Sequence, residues 1–270
     1  MSPRTRTGAA LAPALLVIAG LFGGALAGAI RTTLVPLDGG VTLDSWRSLL
    51  ADPAFADAAL FSLRTAVIAT GVSAALAVAV ASVLRSRGTA TRALASLPVP
   101  VPHLLVAVLA VLWLAPGGLA DRGLGALPVT LVRDELGLGI ALVYVYKETP
   151  FLVLLLLATM GTGLREREEA AAVFGASALQ RLAWVVWPTI RSPLVVGSIV
   201  VAAFTLGAFE VPLLVGPNYP PTLATYAYEA GQGDLIAGES VAAAALLLTA
   251  GAAIVLAVAA APLARTVEGD

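Results

Sequence analysis

Residues 138–159 read LGIALVYVYKETPFLVLLLLAT, and this stretch decides the class of fold. It is apolar for most of its length, yet it carries Lys147 and Glu148 near its middle. A helix needs roughly 20 mostly apolar residues to cross the hydrocarbon core of a bilayer. We therefore predict that this stretch is a transmembrane helix with two charges inside it.

Five further stretches of the chain meet the same criterion of length and apolar content. None of them alternates polar and apolar residues with a period of two, which excludes a transmembrane β-barrel. The first apolar run is longer than the apolar segment of roughly 7–15 residues within a cleaved signal peptide, so we expect it to be retained. The sequence therefore predicts an all-α membrane protein with six transmembrane helices in a single domain over residues 1–270. The predicted spans are residues 9–30, 58–84, 94–114, 138–159, 194–215 and 241–263.

The composition also indicates a protein that is embedded in the lipid bilayer. Hydrophobic residues make up 59% of the chain and charged residues 12%, whereas about a quarter of the residues in soluble domains are charged. A net charge of -1 provides no basic field for nucleic acid. The chain has no cysteine and a single histidine, His103, which argues against disulfides, thiolate chemistry and histidine-based metal centres. We expect no catalytic, cofactor or metal site in this chain.

The arginines are distributed unevenly between the loops. With a cytoplasmic N-terminus, the inner segments hold Arg4, Arg6, Arg85, Arg87, Arg92, Arg165, Arg167, Arg181, Arg191 and Arg265. The outer loops then hold only Arg31, Arg47, Arg122 and Arg133. This distribution satisfies the positive-inside rule. We therefore expect a multi-pass protein of the inner or plasma membrane with both termini in the cytoplasm.

Three charged residues fall inside predicted spans: Lys147 and Glu148 in the fourth, and Glu210 in the fifth. A charge at bilayer depth costs several kcal/mol unless it is paired or hydrated, so each residue is a candidate for the translocation path. A structural ion pair between Lys147 and Glu210 is the alternative, and the two interpretations are compatible. Adjacent positions on a helix point about 100° apart, so we do not expect Lys147 and Glu148 to pair with each other.

His103 follows prolines at positions 98, 100 and 102, which are expected to distort the start of the third span. A lone histidine at this place is most simply a hydrogen-bonded structural residue rather than a proton relay. An intramembrane hydrolase that uses His103 or a serine paired with Lys147 is a further class to consider. No serine lies at helical spacing from either base, which argues against it.

The loop at about residues 165–188, which we call the 165–188 loop, is not a plain connector. Its first half is a strong helix former, because acidic residues begin it and alanines follow. Gly175 allows the chain to turn, and a second short helix, residues 177–186, leads to Pro188. The loop is either a solvated helical hairpin or a docking surface for a cytoplasmic partner with a basic groove.

The 165–188 loop resembles the EAA loop of ABC importer permeases, the inner-membrane components of binding-protein-dependent type I importers. The residues that match the family pattern at the family's spacing are Glu169, Ala170, Ala171, Gly175 and Pro188. Val185 and Trp187 stand where the family carries Ile and Leu, and Phe174 stands where many members carry Asp. The position of the loop before the penultimate span extends the resemblance to the whole chain.

The resemblance implies that these five matching residues form a coupling helix, with Glu169 paired to a separate ATP-hydrolysing subunit. It also implies a permease core of five helices plus an N-terminal helix, which forms half of a pore. The implied partners are two ATP-binding subunits, a second permease subunit that is identical or homologous, and an extracytoplasmic solute-binding protein. Lys147 is the only lysine and lies in no Gly-x4-Gly-Lys-[Ser/Thr] phosphate loop. We therefore expect ATP and magnesium to bind the partner subunit, and this chain not to be an enzyme.

Residues 144–151 and 204–228 resemble the branch of the family that includes permeases for polyamines, ferric iron and sulfate. Glu210 suits a cation in the path, whereas Lys147 suits an anion. We expect a small polar solute such as a polyamine. The alternative is an ion-coupled secondary transporter that uses Glu210 and Lys147, but we see none of the inverted repeats common in such folds.

Overall fold

The computed structural model describes residues 3–36, 39–125, 128–233 and 238–267. All regular secondary structure within these residues is helical. The helices are α1 (Pro3–Leu34), α2 (Asp44–Ala51), α3 (Pro53–Leu84), α4 (Thr89–Ser96), α5 (His103–Leu114), α6 (Leu119–Leu124), α7 (Leu138–Thr159), α8 (Thr162–Val173), α9 (Ala178–Arg181), a π-helical turn (Leu182–Val186), α10 (Trp187–Gly207), α11 (Glu210–Val215), α12 (Leu223–Gly233) and α13 (Gly238–Val267).

Six helical segments of the described residues are long and apolar enough to cross a membrane. They are Leu11–Leu34, Pro53–Leu84, His103–Leu124, Leu138–Thr159, Ala178–Gly207 and Gly238–Ala259. The predicted all-α class with six spans is therefore confirmed. The division of the chain into domains and the orientation of its termini stay predictions.

The third span starts later than the predicted residue 94. Helix α4 ends at Ser96, and α5 begins at His103. The prolines between them have no N–H to donate, so a continuous helix through residues 97–102 would lack several hydrogen bonds. The predicted distortion at this point is confirmed, and the predicted boundary is wrong.

The fifth span also differs from the prediction of one helix over residues 194–215. Helix α10 already begins at Trp187, because Pro188 suits the first turn of a helix. It ends at Gly207, where Ala208 takes up extended backbone with φ -74° and ψ 142°. Helix α11 then starts at Glu210. The carboxylate that the sequence predicts inside a continuous helix thus lies at a helix break.

The chain forms two compact units, and the first comprises Met1–Ala56 and Tyr226–Leu248. Polar contacts connect its segments. The Ser45 and Ser240 hydroxyls are hydrogen bonded at 2.9 Å. The Tyr226 hydroxyl donates to Asp52 at 2.6 Å, and its ring centroid lies 5.8 Å from that of Phe55. These contacts fix α2 and the start of α3 within this unit.

The second unit comprises Asp57–Thr225 and Thr249–Asp270, and α7 is its central helix. Helix α7 packs against α5, α10 and α11. One apolar cluster contains Ile140 and Tyr144, and another contains Leu152 and Leu156. Lys147 and Glu148 lie on α7 between these two clusters, which explains why both charged side chains are buried.

The start of α7 passes very close to the preceding loop. Asp134 caps this helix, because its two carboxylate oxygens accept the N–H groups of Leu138 at 2.7 Å and Gly139 at 2.9 Å. A Cβ atom added at Gly139 would overlap the backbone carbonyl of Leu131 and would lie 2.9 Å from a methyl group of Val215. Only glycine fits at this position without moving the backbone.

We expect Gly139→Ala to lower the free energy of unfolding by about 3 kcal/mol, because the added methyl group overpacks against a backbone that cannot yield. Gly71→Ala is the matched control, since nothing lies within 4 Å of a Cβ atom at that position. Thermal unfolding of the two variants in detergent measures the difference. Equal midpoints for Gly139→Ala and Gly71→Ala would show that the α7 contact is not as close as described.

Candidate functional site

The 165–188 loop folds as two short helices around a glycine turn. Helix α8 ends at Val173, and Gly175 has a φ of +83°. The Gly175 N–H donates to the Ala172 carbonyl at 2.9 Å, and the Ala176 N–H donates to the Ala171 carbonyl at 3.0 Å. This pair of bonds is a Schellman motif, which requires a left-handed residue after the helix end. The predicted turn at Gly175 is confirmed, and its physical reason is the left-handed backbone that glycine adopts most easily.

The second half of the loop begins with a capping box. The Ser177 hydroxyl accepts the Gln180 N–H at 3.3 Å, and the Gln180 side chain accepts the Ser177 N–H at 2.8 Å. These reciprocal bonds satisfy two backbone donors at the start of α9. A π-helical turn then leads into α10, where Pro188 lies in the first turn. The loop is therefore rigidly joined to the fifth span.

The tip of the loop exposes large apolar side chains. Val173 is 85% exposed, Phe174 is 91% exposed and Leu179 is 74% exposed. Side chains of this size are seldom exposed together on a soluble surface unless they bind a partner. Phe174, which departs from the family pattern, forms the most exposed part of this tip.

Glu169 lies on the same exposed side of α8. Its carboxylate accepts a hydrogen bond from Arg165 Nε at 2.8 Å. This hydrogen bond and the negative charge of Glu169 raise the pKa of the Arg165 guanidinium above its ordinary value. Ala170 is exposed and Ala171 is half-buried. The five residues that match the EAA pattern thus lie along one helical hairpin, and the carboxylate of Glu169 is accessible.

The neighbouring Glu168 is less exposed, and it faces the end of α3. It forms an ion pair with Arg85 at the end of α3, and both side chains are partly buried. Arg92 donates to the carbonyls of Leu84 and Arg85 and so holds the same end of α3. The sequence pattern does not reveal this ion pair, because its members are far apart in the chain. A groove of about 760 Å³ lies here, and its basic lining residues are Arg85, Arg92, Arg165 and Arg181.

Reversal of either charge in the Arg85–Glu168 pair is expected to lower the free energy of unfolding by about 1–2 kcal/mol, because partial exposure moderates the cost of an unpaired charge. The double variant Arg85→Glu with Glu168→Arg is expected to recover most of that loss. Thermal unfolding of the single and double variants gives the coupling free energy between the two positions. Strictly additive losses would rule out a direct pair.

Lys147 does not form the alternative ion pair with Glu210. Its side chain is buried, and Nζ donates to the carbonyls of Pro98 at 2.6 Å and Val99 at 3.1 Å, and also to the carbonyl of Val101. The Pro98 carbonyl also accepts the Val101 N–H at 3.3 Å. The carbonyls of Val99 and Val101 have no backbone donor among the described residues, and the ammonium group satisfies them. The predicted absence of a pair between Lys147 and its neighbour on α7 agrees with this geometry.

Glu148 is hydrogen bonded to the histidine at the start of α5. His103 Nε2 lies 2.9 Å from Glu148 Oε1. The His103 ring centroid lies 4.9 Å from the Phe204 ring and 6.2 Å from the Tyr144 ring. The prediction that His103 is a hydrogen-bonded residue is confirmed. Its partner, Glu148, was predicted only as a candidate of the translocation path.

Glu210 is exposed at the first residue of α11, directly after the helix break. Helix α11, which begins at Glu210, packs against α5 and α7, the helices that carry His103 and Glu148. The fold therefore brings two of the three predicted path residues to one region, and Lys147 is engaged with the proline-rich turn instead. The helix break is what exposes Glu210, and Pro212 predicts it, because proline has no N–H to donate to the carbonyl of Ala208 four residues earlier.

One relative of known family is similar in sequence over most of this chain. The chain is 30% identical over 223 residues to the inner membrane ABC transporter permease protein YnjC of Escherichia coli (strain K12). The match covers 81% of this chain and 43% of that relative, so this chain spans less than half of the relative's length. No protein-family model matches the chain.

Two solved structures have the same fold along almost the whole chain. One is a bacterial alginate ABC transporter in complex with an alginate pentasaccharide-bound periplasmic protein, with a TM-score of 0.77 and 20% identity over 96% of this chain and 93% of that chain. The other is a bacterial ABC transporter involved in the import of the acidic polysaccharide alginate, with a TM-score of 0.79 and 21% identity over 96% and 94%. Because the sequence identity is only 20–21%, these two matches show a shared fold.

Together, these comparisons relate the chain to inner-membrane permeases of ABC transporters. The sequence match supports the predicted relation to ABC permeases, and the two structures show that the fold is shared. The branch with polyamine, iron and sulfate permeases stays a prediction.

Proposed function

We propose that this chain is a transmembrane permease subunit of an ATP-driven importer and forms half of its translocation pore. The observation that carries this proposal is the helical hairpin of the 165–188 loop, in which the Schellman turn at Gly175 presents Glu169 beside an exposed apolar tip. A rigid, accessible hairpin joined directly to a membrane span is suited to transmit a movement from a partner into the membrane. The sequence relative, an inner-membrane ABC permease, supports this assignment.

In this proposal the 165–188 loop and both termini lie in the cytoplasm of a cell with this chain in its inner membrane. ATP and magnesium bind two partner ATPase subunits, because this chain has no phosphate loop of its own. A second permease subunit, identical or homologous, completes the pore. An extracytoplasmic solute-binding protein delivers the solute, and the periplasmic protein bound to the alginate transporter of the same fold supports this part of the proposal.

The solute that suits this chain best is a small polar cation, such as a polyamine. Lys147 is the candidate for an anion, but its ammonium group is already bound by three backbone carbonyls. Glu210 is an exposed carboxylate at a helix break. The accessible charge near the predicted path is therefore negative, which disfavours an acidic polysaccharide like that of the structural neighbours.

The alternative of an ion-coupled secondary transporter has less support. Its proposed ion site combines Lys147 with Glu210, and the two side chains form no ion pair in the structure. That alternative also assigns no role to the 165–188 loop.

Purification of the affinity-tagged chain from native membranes tests the proposal. We expect an ATP-binding subunit to co-purify, and its ATP hydrolysis to rise when the solute-binding protein and its solute are added. Uptake that continues after ATP depletion, with the membrane potential intact, would instead support the secondary transporter.

A further inference from the structure

The region around His103 has the composition of a site for a cation. The His103 ring lies 4.9 Å from the Phe204 ring, and the Tyr144 and Phe204 rings meet edge to face at 6.3 Å. Glu148 is bound to His103 at 2.9 Å. Carboxylates and aromatic faces are the groups that proteins use to bind ammonium ions. These residues come from three helices, so the fold, not one motif, assembles the cluster.

Two observations indicate that this cluster is incomplete without a ligand. The Tyr144 side chain is fully buried, yet its hydroxyl has no hydrogen-bond partner among the described residues. Buried hydroxyls normally have a partner, so the Tyr144 hydroxyl retains an unused hydrogen-bonding capacity. The Phe204 ring is 43% exposed at the edge of the cluster. Glu210 is exposed at the start of α11, which packs against the helices of His103 and Glu148. The cluster is therefore accessible from one side.

Among the described residues, no lysine or arginine forms an ion pair with Glu148 or Glu210. Lys147 is the nearest ammonium group along the chain, but it holds the turn at Pro98–Val101. This turn leads directly to Pro102 and His103, so Lys147 positions His103 against Glu148. The His103 imidazole is therefore hydrogen bonded to the same Glu148 carboxylate that a cationic solute would bind.

We infer that Glu148, Tyr144 and Phe204, together with Glu210, form an intramembrane binding site for the ammonium group of the transported solute. In the state without solute, the His103 imidazole is hydrogen bonded to the Glu148 carboxylate. An arriving ammonium group replaces the imidazole at Glu148, faces the Phe204 ring and gains the unpartnered Tyr144 hydroxyl. The inference rests on the proposed permease function, and it adds the chemical group of the solute and the residues that bind it.

The experiment uses the fact that His103 is the only histidine of the chain. The chain is labelled with ¹³C-histidine, carries a tag without histidine, and is assembled with unlabelled partner subunits. The probe is 1,4-diaminobutane, and 1,4-butanediol is its neutral analogue of the same length. We expect the diamine to shift the single His103 signal in a saturable manner, and the diol to leave it unchanged.

Variants of the site test whether the response to the diamine depends on the proposed binding residues. Glu148→Gln is expected to abolish the response to the diamine, whereas Glu135→Gln, an exposed carboxylate elsewhere in the same unit, is expected to retain it. Phe204→Leu keeps an apolar side chain and is expected to raise the half-saturating concentration about threefold, because the ring face is lost. This second variant keeps the test decisive if Glu148→Gln does not fold.

An absent response to the diamine, an equal response to the diol, or an unchanged response in both site variants would overturn the inference. ATP hydrolysis stimulated by the solute-binding protein is measured in the same samples. If that stimulation persists while the diamine produces no response, the ammonium site is wrong and the permease function stands. If the stimulation is also absent, the proposed function fails with it.

Discussion

Glu169→Lys is expected to lower ATP hydrolysis stimulated by the solute-binding protein about 30-fold or more. The carboxylate is exposed on α8 beside the apolar tip of the loop, so a partner surface can pair with it directly. Reversal of a charge at the centre of such an interface costs about 2 kcal/mol or more. The stimulated rate is measured on the purified complex in lipid vesicles.

Glu166→Lys is the matched control for this change. Glu166 is also an exposed carboxylate of α8, three positions earlier on the same helix. We expect this control to keep most of the stimulated rate and both variants to reach the membrane in normal amounts. Full stimulation in Glu169→Lys would show that the proposed coupling residue is misassigned.

Lys147→Met is expected to lower the free energy of unfolding by about 3 kcal/mol. The buried ammonium group donates to three partly buried carbonyls of the proline-rich turn, and its removal leaves those of Val99 and Val101 without a donor among the described residues. Because the methionine side chain has nearly the same length, lost volume does not explain the effect. The midpoint of thermal unfolding in detergent measures the loss.

Arg87→Met is the control, because Arg87 is an exposed cation near the end of α3. Its midpoint is expected to stay close to that of the unchanged protein. If Lys147→Met and Arg87→Met have the same midpoint, Lys147 does not hold the turn, and the predicted role of Lys147 in the path becomes the better interpretation.

The six spans could be predicted from the sequence because each is decided by local composition. An apolar run of sufficient length has few alternatives to a membrane helix, whatever its neighbours are. The turn at Gly175 was predictable for the same local reason, since glycine and the helix-forming alanines before it are adjacent in the chain. The boundaries at His103 and Gly207 were harder to place to the residue, although prolines lie close to both of them.

The partners of the buried charges could not be predicted, because they depend on contacts between distant segments. The carbonyls that hold Lys147 belong to residues about fifty positions earlier, and backbone acceptors leave no signature in residue types. The ion pair of Arg85 with Glu168 likewise joins α3 to α8. Adjacent glutamates on a helix do not show which of them meets a cation of another segment.

The central claim is that the 165–188 loop binds a separate ATPase, and a crosslink at its tip tests this most directly. A photoreactive amino acid replaces Phe174, which is 91% exposed, and a second sample carries it at Leu124, which is 83% exposed and belongs to a predicted outer loop. We expect irradiation of intact membranes to join the position 174 sample, but not the position 124 sample, to an ATP-binding subunit. Capture of no ATPase from position 174, or equal capture from both positions, would contradict the account.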